Sequence, residues 1–191
     1  MSTGRVEAFS DGVIAIIVTI MVLELKVPDD PTAGSLAKVL PLFLVYALSF
    51  LTVAIMWVNH HHFLKTARRP DPGLLWSNNN LLFWMSMIPF ATRYLGQNPY
   101  SVLPVALYAA LLAITSASFY WLIRVLSHQN KHNPAIAAEF ERQRTKSLGT
   151  CATYLACTGL AAVLPKVALV IIVILPVIYF LPERKLVTDA E

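Results

Sequence analysis

The sequence predicts an all-α, polytopic membrane protein with six transmembrane helices per subunit and both termini in the cytoplasm. Composition, the length of the apolar stretches and the distribution of positive charge predict it. Hydrophobic residues make up 57% of the 191 residues, charged residues only 14%, and the mean hydropathy is +0.60. A soluble domain carries about 25% charged and about 45–50% apolar residues. This composition argues against a soluble enzyme, a disordered chain or a nucleic-acid-binding domain, which would show a basic stripe with interleaved aromatic residues.

Six apolar stretches, separated by turns rich in proline and asparagine, are long enough to cross a hydrocarbon core of about 30 Å. We predict the spans 9–27, 36–58, 74–95, 102–125, 147–164 and 167–181, which together form a single domain over residues 1–191. The last two spans could form two helices or one long kinked helix, and we predict two helices because one helix of their combined length would exceed a single crossing. Pro89 and Pro176 predict kinks inside their spans. The polar segment 127–146 predicts a cytoplasmic extension of the fifth helix.

Lysine and arginine residues predict the orientation. With the N-terminus inside, eleven of them lie on the cytoplasmic side and four outside, and cytoplasmic loops are the ones enriched in positive charge. Glu7 and Asp11 interrupt the N-terminal stretch, and no small-residue cleavage site follows Leu23. A cleaved signal peptide is therefore not expected.

The first span has two chemically different faces. At 100° per residue, one stripe holds a cation followed by small and apolar residues, each within about 60° of Ile16. From the cytoplasmic end, the members of this stripe are Arg5, Phe9, Gly12, Ile16, Thr19, Ile20 and Leu23. Ser10 and Asp11 lie about 120–140° away from the stripe.

Asp11 is a candidate functional residue, because an ionisable group inside a membrane helix is costly and needs partners. The alternative is that it only caps the helix start near the lipid headgroups. Arg5 is too far along the helix and on another face, so the partners of both residues are expected on other helices or other subunits. Polar groups expected at the same depth are Trp57, His60, His61 and Asn78.

The three consecutive histidines at 60–62 leave several interpretations open. Their side chains point about 100° apart on a helix, so they cannot all bind one ion, and an HExxH motif is absent. We favour a hydrogen-bond network over a solvated position or a metal site, and we expect no cofactor. Cys151 and Cys157 lie six residues apart in one span. They are expected to be packing residues without a disulfide.

The pattern Arg5-x-x-x-Phe9-Ser10-Asp11, followed by Ile16 and Thr19, resembles the signature of the endolysosomal potassium channel family named transmembrane protein 175. The resemblance is to its single-repeat prokaryotic members in particular. Residues 57–61, 74–78 and 89–92 add to it. It covers the first half of the chain strongly, whereas spans four to six match mainly in layout.

The resemblance implies a homotetramer in the cell membrane of a prokaryote, with the first helices lining a pore. Ile16, Ile20 and Leu23 would form apolar constriction rings, and Thr19 would supply a hydroxyl ring, so that potassium would permeate near Ile16 and Thr19. The other signature residues would brace helix packing and subunit contacts: Arg5, Phe9, Ser10, Asp11, Trp57, His60, His61 and Asn78.

The resemblance thus implies passive conduction of potassium, with other monovalent cations as weaker permeants. One alternative is a proton-conducting channel or proton-coupled transporter that uses Asp11 and the histidines. A membrane-embedded metalloenzyme that uses His60–His62 and a structural scaffold are further alternatives. We expect no enzymatic activity, because no nucleophile–base pair, phosphate-binding glycine loop or pair of catalytic carboxylates is present.

Overall fold

The computed structural model describes residues 2–180, and these residues form helices without any β-strand. In chain order the helices are α1 (Thr3–Leu23), α2 (Ala33–Leu64), α3 (Pro72–Ser86), α4 (Ile88–Gln97), α5 (Val102–Gln129), α6 (Pro134–Leu160) and α7 (Pro165–Phe180). The predicted all-α class is confirmed. Leu181, the last residue of the predicted sixth span, lies outside the described residues.

Three of these helices are long and apolar enough to cross a membrane by length and composition: α1, α2 and α5. A shorter apolar helix covers Pro165–Pro176 within α7. The helices therefore support a multi-pass membrane protein. Six crossings and two cytoplasmic termini stay predictions.

The third predicted span, 74–95, is divided into α3 and α4, with the interruption two residues before Pro89, where a kink was predicted. The break lies at Met87, whose N–H donates to the Trp84 carbonyl at 3.2 Å, in a tighter turn than an α-helix. Pro89 explains the break. It has no N–H for the Met85 carbonyl, and its ring would clash with that carbonyl in a continuous helix.

Other helix ends also differ from the predicted ones. α2 extends past Val58 through the histidines to Leu64, whereas α1 ends at Leu23 rather than 27. The predicted extension 127–146 is divided, since 127–129 complete α5 and α6 begins at Pro134. Proline suits the first turn of a helix, where its missing N–H costs nothing. A turn at 161–163 separates α6 from α7, as predicted.

A buried polar link joins the helices in the half of the bundle away from the histidines. Thr92 on α4 donates to the Ser49 hydroxyl on α2 at 2.7 Å, and Ser49 shares a 2.8 Å hydrogen bond with Tyr108 on α5. All three side chains are buried. Nearby, Gly96 lets α4 approach α2 so closely that an added Cβ would lie 3.0 Å from the Cα of Leu42. Both contacts fix α4 against α2.

α1 packs on α2, α3 and α4 with one face only. Val6, Ile14, Ile17 and Met21 form this face, and each is buried to within a few per cent. Their spacing of three, four and eight residues follows one side of an α-helix. The opposite side of α1 faces away from its own bundle, and this leaves the stripe described next.

Candidate ion pathway

One face of α1 is exposed although it is apolar. Leu23 is 79% exposed, Ile16 59% and Ile20 43%, and these residues recur at helical spacing. A continuous apolar surface of this kind marks contact with lipid or with another protein surface. The structure thus separates the predicted pore residues from the buried side of the helix.

Thr19 lies on the same exposed face, and its hydroxyl is held in a fixed orientation. Its Oγ1 donates to the carbonyl of Ile16 at 2.9 Å. A hydroxyl has one proton and two lone pairs. Because the proton is engaged, the oxygen presents only lone pairs to its surroundings, and this suits an oxygen ligand of a cation.

A groove runs beside the stripe, between α1 and the α3–α4 break. It has a volume of about 480 Å³, and Ile16, Ile20 and Phe90 are among its lining residues. Near its end, Arg93 Nη1 lies 2.7 Å from Glu24 Oε2, so that an ion pair joins α4 to the end of α1. The apolar stripe thus borders an open groove.

A buried hydrogen-bond chain ties the opposite face of α1 to α3 and α2. Ser10 Oγ donates to the Val6 carbonyl at 2.8 Å and accepts from Asn78 Nδ2 at 2.9 Å. Asn78 Oδ1 lies 2.7 Å from His60 Nε2. An amide oxygen only accepts, so His60 carries its proton on Nε2. All three side chains are fully buried, and buried polar groups need such partners.

A second polar layer joins α1 to α2 at a less buried level. Trp57 Nε1 donates to Asp11 Oδ1 at 2.9 Å, and His61 Nδ1 lies 3.0 Å from Glu7 Oε1. Each helix contributes two residues four positions apart, so both pairs lie on one helix–helix contact. Asp11 lies well inside α1, which begins at Thr3. It is therefore no helix cap.

The three histidines contact three different helices. His60 reaches Asn78 on α3, His61 reaches Glu7 on α1, and His62 Nε2 lies 2.8 Å from Glu139 Oε1 on α6. They share no common ligand position. This arrangement gives no support to the metalloenzyme interpretation, which required the histidines to act together.

Two signature residues take no part in these contacts. The Arg5 side chain and Phe9 are exposed, Phe9 by 57%, on the same face as Ile16. Sequence reasoning missed Glu7 and Glu139, which pair with His61 and His62. A signal for Glu7 was present, because it lies four residues before Asp11 and therefore on the same helix face.

Apolar helices of membrane-crossing length, a helix with one unpartnered apolar face and polar contacts buried between helices define an integral, multi-pass membrane protein. A family profile described as "Endosomal/lysosomal potassium channel TMEM175" matches residues 5–89, which include the stripe, both polar layers and the α3–α4 break. The chain belongs to the TMEM175 family.

The relatives agree with this assignment along the chain. A potassium channel of Chryseobacterium sp. (strain P1-3) is 44% identical over 145 residues, which cover 74% of this chain and 76% of that protein. The crystal structure of a lysosomal potassium-selective channel TMEM175 homolog from Chamaesiphon minutus matches with a TM-score of 0.69 and 28% identity, over 93% of this chain and 95% of that one. The endosomal/lysosomal proton channel TMEM175 of Homo sapiens is 36% identical over 103 residues, 48% of this chain and 20% of that protein.

Proposed function

We propose that this chain is one subunit of a potassium-permeable cation channel whose pore is lined by α1 from each subunit. The exposed apolar stripe of α1, with the Thr19 hydroxyl within it, is the observation that carries the proposal. Its other face is committed to the bundle through buried contacts. The bacterial relative that is 44% identical is named a potassium channel, and this name supports the permeant.

The pore requires several copies, because a single α1 cannot enclose one. Four copies around an axis would bring the stripes of Ile16, Ile20 and Leu23 together and remove them from lipid and water. Oligomers with closed rotational symmetry satisfy such a self-contact in every subunit at once. The mass of the purified complex in detergent, measured by light scattering with the detergent subtracted, is expected to equal four chains.

The apolar rings would act as a gate by dewetting. A narrow ring excludes water, and a cation that cannot keep or replace its hydration shell does not pass, whereas a slightly wider ring readmits both. The Thr19 oxygens would replace part of the shell beside this ring. A single hydroxyl level offers fewer ligands than stacked carbonyl rings, so selectivity among monovalent cations is expected to be modest. The hydrogen bonds of Ser10 and Asp11 would hold each α1 in register while the stripe faces the axis.

Ion flux into vesicles tests the proposal directly. Vesicles that contain the purified protein are expected to take up potassium, and Ile16→Asn is expected to raise the uptake and to reduce discrimination among cations, because the amide hydrates the ring. Ile174→Asn is the matched control, since Ile174 is 48% exposed on α7 and lies on another helix. Equal flux in the parent protein and both variants would contradict the assignment of the pore.

Proton conduction is the second candidate, because the mammalian relatives are named proton channels. The chain of hydrogen-bonding groups from Ser10 through Asn78 to His60 links three helices by exchangeable protons. A pH-sensitive dye trapped in the same vesicles measures proton uptake. Potassium is omitted, and an ionophore for another ion balances the charge. Dye response without potassium uptake would favour this candidate over the first.

A further inference from the structure

Three potential metal ligands meet where α1 crosses α2. Glu7 and Asp11 lie four residues apart on α1, and His61 faces them from α2. The two carboxylates and the imidazole place one ligand atom each within 4.8 Å of one another. Sequence reasoning considered only the three histidines as a ligand set. Here one histidine joins two carboxylates from a different helix.

The imidazole nitrogen in this cluster has a carboxylate neighbour but no hydrogen bond of good geometry. His61 Nδ1 is buried and makes no hydrogen bond with any atom of residues 2–180. Glu7 Oε1 is only 3.0 Å away, so the two atoms are close but poorly aligned. A buried polar atom without a hydrogen bond is uncommon and calls for a specific explanation. A cation between these two atoms would bind a lone pair of His61 Nδ1 and a lone pair of Glu7 Oε1.

The donor set selects a class of cation. Imidazole nitrogen suits zinc, iron, nickel and copper, whereas magnesium and calcium take oxygen ligands. Two carboxylates and a neutral imidazole carry two negative charges, which a divalent cation balances. Bonds of about 2.0–2.2 Å place the ligand atoms of a tetrahedral site about 3.3–3.6 Å apart. Glu7 Oε1, now 3.0 Å from His61 Nδ1, would separate from it slightly, and the wider gaps in the cluster, at most 4.8 Å, would close. The flexible Glu7 side chain supplies this movement, and the partial exposure of Glu7 and His61, 27% and 35%, gives the ion access.

Trp57 completes the arrangement from outside the ligand set. Its indole N–H holds Asp11 Oδ1 at 2.9 Å, and this leaves Oδ2 free to bind. Groups that hydrogen-bond to a ligand orient it, and their removal weakens metal binding by about 10–100-fold. Trp57 also lies beside the His61 ring, with centroids 6.0 Å apart. One side chain therefore positions two of the three ligands.

We propose that Glu7, Asp11 and His61 form a binding site for a divalent transition-metal cation such as Zn²⁺, with Trp57 as a positioning residue. The bound cation joins α1 to α2 and strengthens this helix contact. Solvent fills the remaining coordination positions, because the site has only three protein ligands.

Zinc binding by the full chain tests the site. Protein purified without a histidine tag is stripped with a chelator and titrated with Zn²⁺ in millimolar Mg²⁺. The wild type is expected to bind about one Zn²⁺ per subunit, Glu7→Gln and His61→Ala to lose the site, and Trp57→Phe to bind about 10–100-fold more weakly. His62→Ala is the matched control, because this neighbour pairs with Glu139 instead, and it is expected to bind like the wild type.

Several results would overturn the site. These are no saturable binding by the wild type, equal binding by His61→Ala and the wild type, loss of binding in His62→Ala alone, or displacement of Zn²⁺ by the Mg²⁺ present. Co²⁺ provides an independent spectroscopic readout. A thiolate charge-transfer band would show that the metal binds Cys151 or Cys157, both free thiols, and would also overturn the proposed site.

Thermal stability tests the link between the helices. Zn²⁺ is expected to raise the unfolding temperature of the wild type and of His62→Ala, since a ligand that binds only the folded state stabilises it. It is expected to leave His61→Ala unchanged, and an equal rise in that variant would contradict the proposal. Glu7→Gln keeps the size of the side chain but removes its charge. It is expected to lose the Zn²⁺-induced rise in unfolding temperature as well, because the carboxylate binds the metal. None of these measurements depends on ion conduction, so failure of the proposed function leaves them intact.

Discussion

The asparagine run at 78–80 allows the buried hydrogen-bond chain of α1 to be tested by one substitution at three neighbouring sites. Asn78 makes two interhelical hydrogen bonds, to Ser10 and to His60. Asn80 makes one, to Ser118 Oγ at 2.8 Å. Asn79 is exposed. Leucine has the same number of side-chain heavy atoms and the same branching as asparagine, so each Asn→Leu variant reports the loss of hydrogen bonds more than the opening of a cavity.

The magnitudes follow from the number of bonds. Interhelical hydrogen bonds in a membrane protein contribute about 0.6 kcal/mol on average and at most about 1.7 kcal/mol, because the unfolded chain in the membrane also finds partners. Asn78→Leu is therefore expected to cost about 1.2 kcal/mol, up to about 3.4 kcal/mol, and Asn80→Leu about half of this. Asn79→Leu is expected to stay within about 0.5 kcal/mol of the wild type.

Unfolding in mixed micelles, followed by far-ultraviolet circular dichroism as the fraction of denaturing detergent rises, measures these free energies. The expected order of destabilisation is Asn78→Leu, then Asn80→Leu, then Asn79→Leu. A loss in Asn79→Leu as large as that in Asn78→Leu would refute the reasoning, since it would show that the substitution itself, and not the hydrogen bonds, lowers stability. So would equal losses in Asn78→Leu and Asn80→Leu.

Two further predictions concern packing and capping. Gly96→Ala is expected to destabilise the protein by about 1–3 kcal/mol, because its Cβ would press on the Leu42 backbone. Gly149→Ala has open space around its Cβ and is expected to stabilise the protein by about 0.5–1 kcal/mol. The same unfolding titration compares the two variants. Asp71 caps α3 by accepting from the Leu74 N–H at 2.9 Å, and this bond holds the pKa of its carboxyl below the ordinary 3.8. Asp71→Ala is thus expected to cost about 1 kcal/mol at neutral pH. Because the pKa of Asp71 is depressed in the folded state, the wild type is more stable than Asp71→Ala above pH 3.8 and loses this extra stability as the pH falls through the depressed pKa. An unchanged difference in stability between the two proteins in strongly acidic buffer would contradict this.

Hydropathy and helical periodicity predicted the long apolar helices and the two faces of α1 from the sequence. At 100° per residue, Ser10 was predicted to lie about 120–140° from Ile16 and Leu23, and the structure exposes these two residues and buries Ser10. This works because a membrane helix has one continuous geometry, so the spacing of residues fixes their directions. The position of the α3–α4 break was not predictable to the residue. Pro89 disfavours the helix before it but does not decide where the chain turns.

The polar contacts were predictable only in part. Asp11 and Trp57 were expected at similar depth, but a sequence contains no distance between helices. His61 pairs with Glu7 and His62 with Glu139 because α2 continues past its apolar span, and the predicted end at residue 58 hid this. A charge near a helix end is as compatible with solvent as with a partner, so only packing distinguishes the two.

The C-terminal end of α2 has a mechanical consequence. The three consecutive imidazoles contact α3, α1 and α6 in turn. This short segment therefore connects α6 with α1, the helix that carries Thr19. His61 and His62 are consecutive, so the contact of α2 with Glu7 on α1 and its contact with Glu139 on α6 are one residue apart on the same helix. The last turn of α2 therefore contacts both α1 and α6, and a displacement of this turn would move both contacts together.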